Sequence, residues 1–141
     1  MAQQVIAETK NDRQDDVRMQ KEILYYVNAY RAKHHLSALS MSPVISNEAT
    51  QHSRHLASKK IAFGHDGFSG RIKRLYRHFK ECRGGAENVA YYKTNPKVLV
   101  EQWLASPGHR RNIEGPYNLT GIGIAHAKKG WAYYTQIFIM K

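Results

Sequence analysis

Ser106 and His109 stand three residues apart, a spacing at which an imidazole can draw a proton from a hydroxyl, and Glu87 supplies a carboxylate able to orient the ring. That set would carry acyl transfer. Against it, Ser106-Pro107-Gly108 reads as the start of a turn, where a serine more often satisfies the amide two or three residues on. No oxyanion hole is identifiable, so capping is the expected role of Ser106. His52 and His55 share a helical face at a spacing compatible with metal binding, but beyond Glu48 no third ligand is evident, and His52 falls on an apolar stripe. A buried, satisfied histidine is the expectation there. His34, His35, His78 and His126 offer no pattern. Cys82 is the sole cysteine, which excludes an internal disulfide and any multi-thiolate zinc site, and it reads as a structural thiol.

The elements that must position these residues follow from periodicity. Residues 1–14 are polar and aperiodic and read as a flexible tail or linker. Val17, Ile23, Leu24, Val27 and Tyr30 recur at helical spacing, with Asp15 or Asp16 as cap and an end near His34 and His35. Ser42-Pro43 opens a second helix through Lys60, with Ile45, Ala49, His52 and Leu56 facing inward. Residues 61–70 form a loop holding His65, residues 71–79 a short basic helix, and Gly84-Gly85 closes that region. Asn95-Pro96 starts a helix with Val98, Leu99, Val100, Trp103 and Leu104 on its buried side. Residues 117–127 and 131–140, rich in Ile, Tyr, Thr and Phe and separated by Lys128-Lys129-Gly130, predict a β-hairpin. Helices first and a hairpin last imply one α+β domain over residues 15–141.

Three segments belong together: Phe63-Gly64-His65-Asp66-Gly67-Phe68, Gly85-Ala86-Glu87-Asn88-Val89-Ala90, and the stretch from Trp103 through Ser106-Pro107-Gly108-His109-Arg110-Arg111-Asn112-Ile113. Their order, followed by Tyr133-Tyr134-Thr135-Gln136, resembles the CAP superfamily of cysteine-rich secretory, antigen 5 and pathogenesis-related 1 proteins, in its disulfide-poor bacterial branch. The resemblance implies an α-β-α sandwich with a central antiparallel sheet and a cleft lined by two His and two Glu. His65 matches the first histidine and Glu87 the first glutamate. Ser106 stands where the second glutamate is usual, and Tyr133 where the second histidine is usual. His109 belongs to a motif typical of bacterial members and could reach the same cleft. His65, Glu87 and His109 would then offer two imidazoles and a carboxylate, the donor set of a zinc ion with an open position. The competing reading is hydrogen bonding among these residues without an ion, and the substitutions at Ser106 and Tyr133 favour it over a tightly held metal. Asn88 reads first as an amide that fixes a loop.

Charge adds a second theme. The 141 residues carry 22 Lys and Arg against 11 Asp and Glu, a net charge of +11. The first sixteen residues hold −2, which leaves +13 beyond them. Arg71, Lys73, Arg74, Arg77, Lys80 and Arg83 form a basic patch interleaved with Tyr76 and Phe79, suited to an anionic surface such as a cell-envelope polymer. No run reaches the ~20 apolar residues of a membrane span. No signal peptide is evident in the first sixteen residues, so an exported protein would have had its leader removed. The expected function is a secreted or periplasmic binding domain. Its cleft, formed by His65, Glu87, His109, Ser106 and Tyr133, takes a small molecule, lipid or glycan, and its basic face meets envelope polyanions. The alternative is a zinc-assisted or serine-type hydrolase using that cleft. Nucleic acid ranks last, as no reading motif is present. Tyr91, Tyr92, Tyr133 and Tyr134 could stack a sugar or a flat ligand, though sheet packing explains them as well.

Overall fold

A computed structural model describes residues 10–141, excluding the side chains of Asn11 and Asp12. Five helices and four strands follow in the order α1 (Lys10–Lys33), β1 (Ser40–Met41), α2 (Pro43–Ala57), α3 (Phe68–His78), β2 (Gly84–Tyr92), α4 (Pro96–Ala105), α5 (Pro107–Ile113), β3 (Leu119–His126) and β4 (Ala132–Met140). The sheet order is β1-β3-β4-β2. β2, β4 and β3 pair antiparallel, but β1 joins β3 in parallel, so the sheet is mixed rather than wholly antiparallel.

Alternation along β4 assigns the two layers. Ala132, Tyr134 and Phe138 pack with Ile23 and Val27 of α1, Leu99, Val100 and Trp103 of α4, and Ile113 of α5. Tyr133, Ile137 and Ile139 face the opposite layer, with Ile45, Ala49 and Leu56 of α2 and Leu75 of α3. This is the expected α-β-α sandwich. The inward stripe of α2 is as the periodicity requires, and Ser42 accepts the Ile45 amide at its N-cap. Asn95 caps α4 in the same way through Val98.

Several boundaries differ from the sequence reading. Of the expected tail, residues 1–9 lie outside the described residues, while Lys10 to Gln14 are helical. Asp15 and Asp16 therefore sit inside α1 rather than capping it. Asp16 instead accepts a 2.6 Å hydrogen bond from His126 Nε2, a pair that joins α1 to β3. α2 stops at Ala57 instead of Lys60, with Lys59 in left-handed backbone (φ 62°). α3 begins three residues early, behind Gly67 at φ 83°, a conformation that glycine adopts without a Cβ penalty. Gly84 and Gly85 open β2 rather than close a loop.

Arg31 secures the join between α1 and the segment leading to β3. It is 1% exposed. Its guanidinium donates to the carbonyls of Ser37, Ile113, Gly115 and Tyr117 at 2.7–3.1 Å. Burial pushes its pKa down from the ordinary arginine value. Arg31→Met keeps the apolar stem but strands these acceptors. A loss of about 2–4 kcal/mol is expected in urea unfolding.

Candidate functional site

β2 is an edge strand, and the chemistry gathers along it. Glu87 projects toward the α2/α3 layer, with its side chain 1% exposed. Three groups converge on its carboxylate. His65 Nδ1 donates to Oε1 at 2.9 Å, Arg71 Nε donates to Oε2 at 2.8 Å, and Arg71 Nη2 donates to Oε1 at 2.8 Å. The first turn of α3 aims Arg71 back over the His65 loop, where it also donates to the Asp66 carbonyl at 2.9 Å. His52 of α2 donates from Nε2 to the Gly64 carbonyl at 2.7 Å and stands 3.7 Å from Glu87. The Glu87 contact places the proton of a neutral His65 on Nδ1 and leaves Nε2 available on a half-exposed ring. A cavity of about 200 Å³ opens here, lined by His65, Phe68, Ala86, Glu87 and Asn112.

His109 arrives from α5, in the layer on the other face of the sheet. Asn88, the next residue after Glu87, donates to the His109 carbonyl at 3.1 Å. Asn112 donates to Asn88 Oδ1 at 2.8 Å and to the Glu87 carbonyl at 3.2 Å. Asn88 thus fixes backbone, as expected, and ties α5 to β2. The His109 ring lies 6.3 Å from Trp103, and its buried Nδ1 has no hydrogen-bond partner. Ser106 occupies the N-cap position of α5 but makes no side-chain cap bond, contrary to the capping expectation, and no hydrogen bond joins it to His109.

The residues do not fit a resident zinc ion. Both oxygens of Glu87 are bonded to Arg71, and among the described residues no group of three or more His, Cys, Asp or Glu is arranged to hold a metal. Where the resemblance implies a second histidine, Tyr133 is buried and its hydroxyl accepts from Lys59 Nζ at 2.8 Å. Sequence reasoning missed Arg71 and His52 as members of this cluster. The basic-patch expectation also needs correction. Arg71 is buried in the ion pair, and Arg74 is held bidentately by Glu48 at 2.8 and 2.9 Å. Lys73, Arg77, Lys80 and Arg83 are exposed and make no ion pair among the described residues. Cys82 is half-buried, donates to the Phe79 carbonyl, and has its thiol pKa raised by burial, in line with a structural role. A larger concavity of about 920 Å³ lies between α1 and α2, walled by Leu24, Tyr25, Met41 and Pro43. It too was missed, because Val17 and Tyr25 turn outward from an otherwise regular stripe.

Burial pushes the His52 and His109 imidazoles below the ordinary histidine value, and the Glu87 charge pulls His52 only part of the way back. Both remain neutral in the fold while the unfolded chain takes up protons near pH 6.5. Stability is therefore full above that pH and falls below it, by up to about 1.4 kcal/mol per pH unit for each histidine. Urea midpoints measured from pH 8 to pH 5 should drop on the acid side, and His52→Gln should flatten the slope.

The sequence pattern of the cysteine-rich secretory protein family, CAP, matches residues 24–138. The chain belongs to the CAP family. The YkwD protein of Bacillus subtilis (strain 168) is 29% identical over 124 residues, which is 86% of this chain and 47% of that protein. The CAP domain described here thus spans under half of that relative. Among solved structures, an extracellular protein containing an SCP domain from Bacillus anthracis superposes with a TM-score of 0.78 at 24% identity, covering 96% of this chain and 45% of that one. An outer surface protein from Borrelia burgdorferi gives a TM-score of 0.74 at 17% identity, over 99% and 98% of the two chains. These likenesses show the fold of the CAP domain. No helix among the described residues is long and apolar enough to cross a membrane.

Proposed function

We propose that this CAP domain is an extracellular or periplasmic binding module that captures a ligand in the cleft beside β2 without turning it over. The observation that carries the reading is the state of Glu87. Its carboxylate is bonded to a guanidinium and an imidazole, so it is not free to serve as a general base or to orient His109. Ser106 has no base within hydrogen-bonding distance, which speaks against the serine hydrolase. The exposed cations Lys73, Arg77, Lys80 and Arg83 suit an anionic envelope polymer. The extracellular description of the Bacillus anthracis neighbour agrees with that setting.

The test has two arms. Casein and ester substrates, with and without added zinc, should show no turnover. Turnover lost in both His65→Ala and His109→Ala would establish the hydrolase instead. Poly(glycerol phosphate) should bind in a salt-sensitive manner and weaken when Lys73, Arg77 and Lys80 are changed to Gln. Binding indifferent to those changes would remove the basic face from the proposal.

A further inference from the structure

A row of aromatic rings continues the cleft along β2 and β4. Phe63, two residues before His65, lies 6.3 Å from Tyr133. Tyr133 lies 4.4 Å from Tyr91, and Tyr91 stacks on Trp131 at 4.8 Å with 29° between planes. The ends of the row face solvent, with Phe63 56% and Trp131 37% exposed, while Tyr133 beneath is buried. Tyr133 and Tyr91 belong to the buried cluster with Leu56 and Val89, so the platform is the two outward rings, Phe63 and Trp131, carried on that support.

Cations border this platform. Lys59 Nζ donates to the Tyr133 hydroxyl and stands 5.4 and 6.0 Å from the Tyr133 and Tyr91 ring centres. One of its three N–H donors is engaged there, which leaves two for a ligand. The Lys93 stem packs along Gly130, next to Trp131, so a second exposed cation lies at the far end of the row. Glu87 does not offset these charges, because its own is matched by Arg71. Lys59 also occupies left-handed backbone just past α2, where glycine is the unstrained choice.

We propose that this platform binds an acidic glycan, with Phe63 and Trp131 stacking on sugar faces and Lys59 and Lys93 meeting its carboxylates. The inference deepens the binding-module reading and rests on it. Two outward rings at the ends of a tilted, stacked row, with Lys59 and Lys93 beside it, fit a chain of flat, repeatedly charged units. An acidic peptide is the competing occupant.

The experiment follows Trp131 fluorescence, since Trp103 is buried, while titrating hexagalacturonate, its methyl ester and hexaglutamate into the intact chain. Hexagalacturonate should give a saturable shift and bind at least ten-fold more tightly than the uncharged ester. Hexaglutamate should leave Trp131 unchanged. Phe63→Ala and Lys59→Gly should each weaken binding ten-fold or more. Lys59→Gly should hold Tm within about 2 °C, because relief of backbone strain opposes the lost tyrosine contact. No saturable shift at millimolar hexagalacturonate would overturn the proposal, as would equal binding of hexaglutamate. If only the Lys73, Arg77 and Lys80 variants lose hexagalacturonate, the platform is refuted while the basic-face reading survives. Turnover in the casein or ester assay would instead refute the binding-module reading itself.

Discussion

Glu87→Ala should cost this domain about 3–5 kcal/mol, because it strands the Arg71 guanidinium in a site only 5% exposed with no anion to meet it. Arg71→Ala should cost a similar amount by stranding the carboxylate. For a chain of 141 residues such a loss lowers Tm by roughly 10–20 °C. The double variant is the informative one. With both charges gone, no ion is left unsolvated, and stability should lie above that of either single variant. Thermal unfolding of all four proteins measures the coupling. If the double variant is instead as unstable as the two losses summed, Arg71 and Glu87 do not act as a pair. Glu87→Ala also releases the His65 Nδ1 proton donor, so it should disturb the cleft even at temperatures where the variant remains folded.

Gly123→Ala should be comparably severe through packing alone. A Cβ at Gly123 would lie 2.1 Å from the Thr50 nitrogen and 2.3 Å from the Ala49 carbonyl carbon. At Gly121 it would lie 2.2 Å from the Ser46 nitrogen. α2 therefore rests on β3 backbone to backbone, and two glycines two residues apart on the strand face successive turns of the helix. The obstructing atoms are main chain and cannot rotate away, so one added methyl has to lift the helix. The expected loss is about 3 kcal/mol or more, at the upper end of overpacking effects. Ser53 of α2 would be pulled from its hydrogen bonds to the Gly123 carbonyl and Thr135 hydroxyl. A urea midpoint unchanged by Gly123→Ala would mean that the helix rides higher on the strand than described.

Much of this architecture could be read from residue order. The Ile45, Ala49, His52 and Leu56 stripe, the Ser42 and Asn95 caps and the final hairpin are local patterns in which propensity and packing agree. β2 was less visible, because Gly84-Gly85-Ala86-Glu87-Asn88 has little strand character of its own and is held by pairing with β4. The start of α1 was hidden by polar residues that no inward-facing stripe organises. At the site, motif order singled out His65 and Glu87, and the fold brings the two side chains to 2.9 Å. His109 reaches the same strand from the opposite layer, with its carbonyl on the Asn88 amide and its imidazole against the Val89 backbone. Arg71 was hidden for a physical reason. In a run of cations every member looks like solvated surface, and only the return of a distant carboxylate distinguishes the one that is buried. The Lys59–Tyr133 contact was equally invisible, since it depends on where α2 ends.

The sheet order carries a consequence for assembly. β2 has a single strand neighbour, β4, with Gly84 opposite Met140 and Tyr92 opposite Ala132. On a ribosome, the half-built cleft must wait for nearly the whole remaining polypeptide before the strand bearing Glu87 can dock. Until then the carboxylate and its guanidinium are hydrated, and His65 has no fixed tautomer. The cleft is thus among the last features to mature, and a chain ending after Tyr133 but before Ile137, the strand partner of Glu87, would contain every cleft residue yet lack the pairing that forms the cleft.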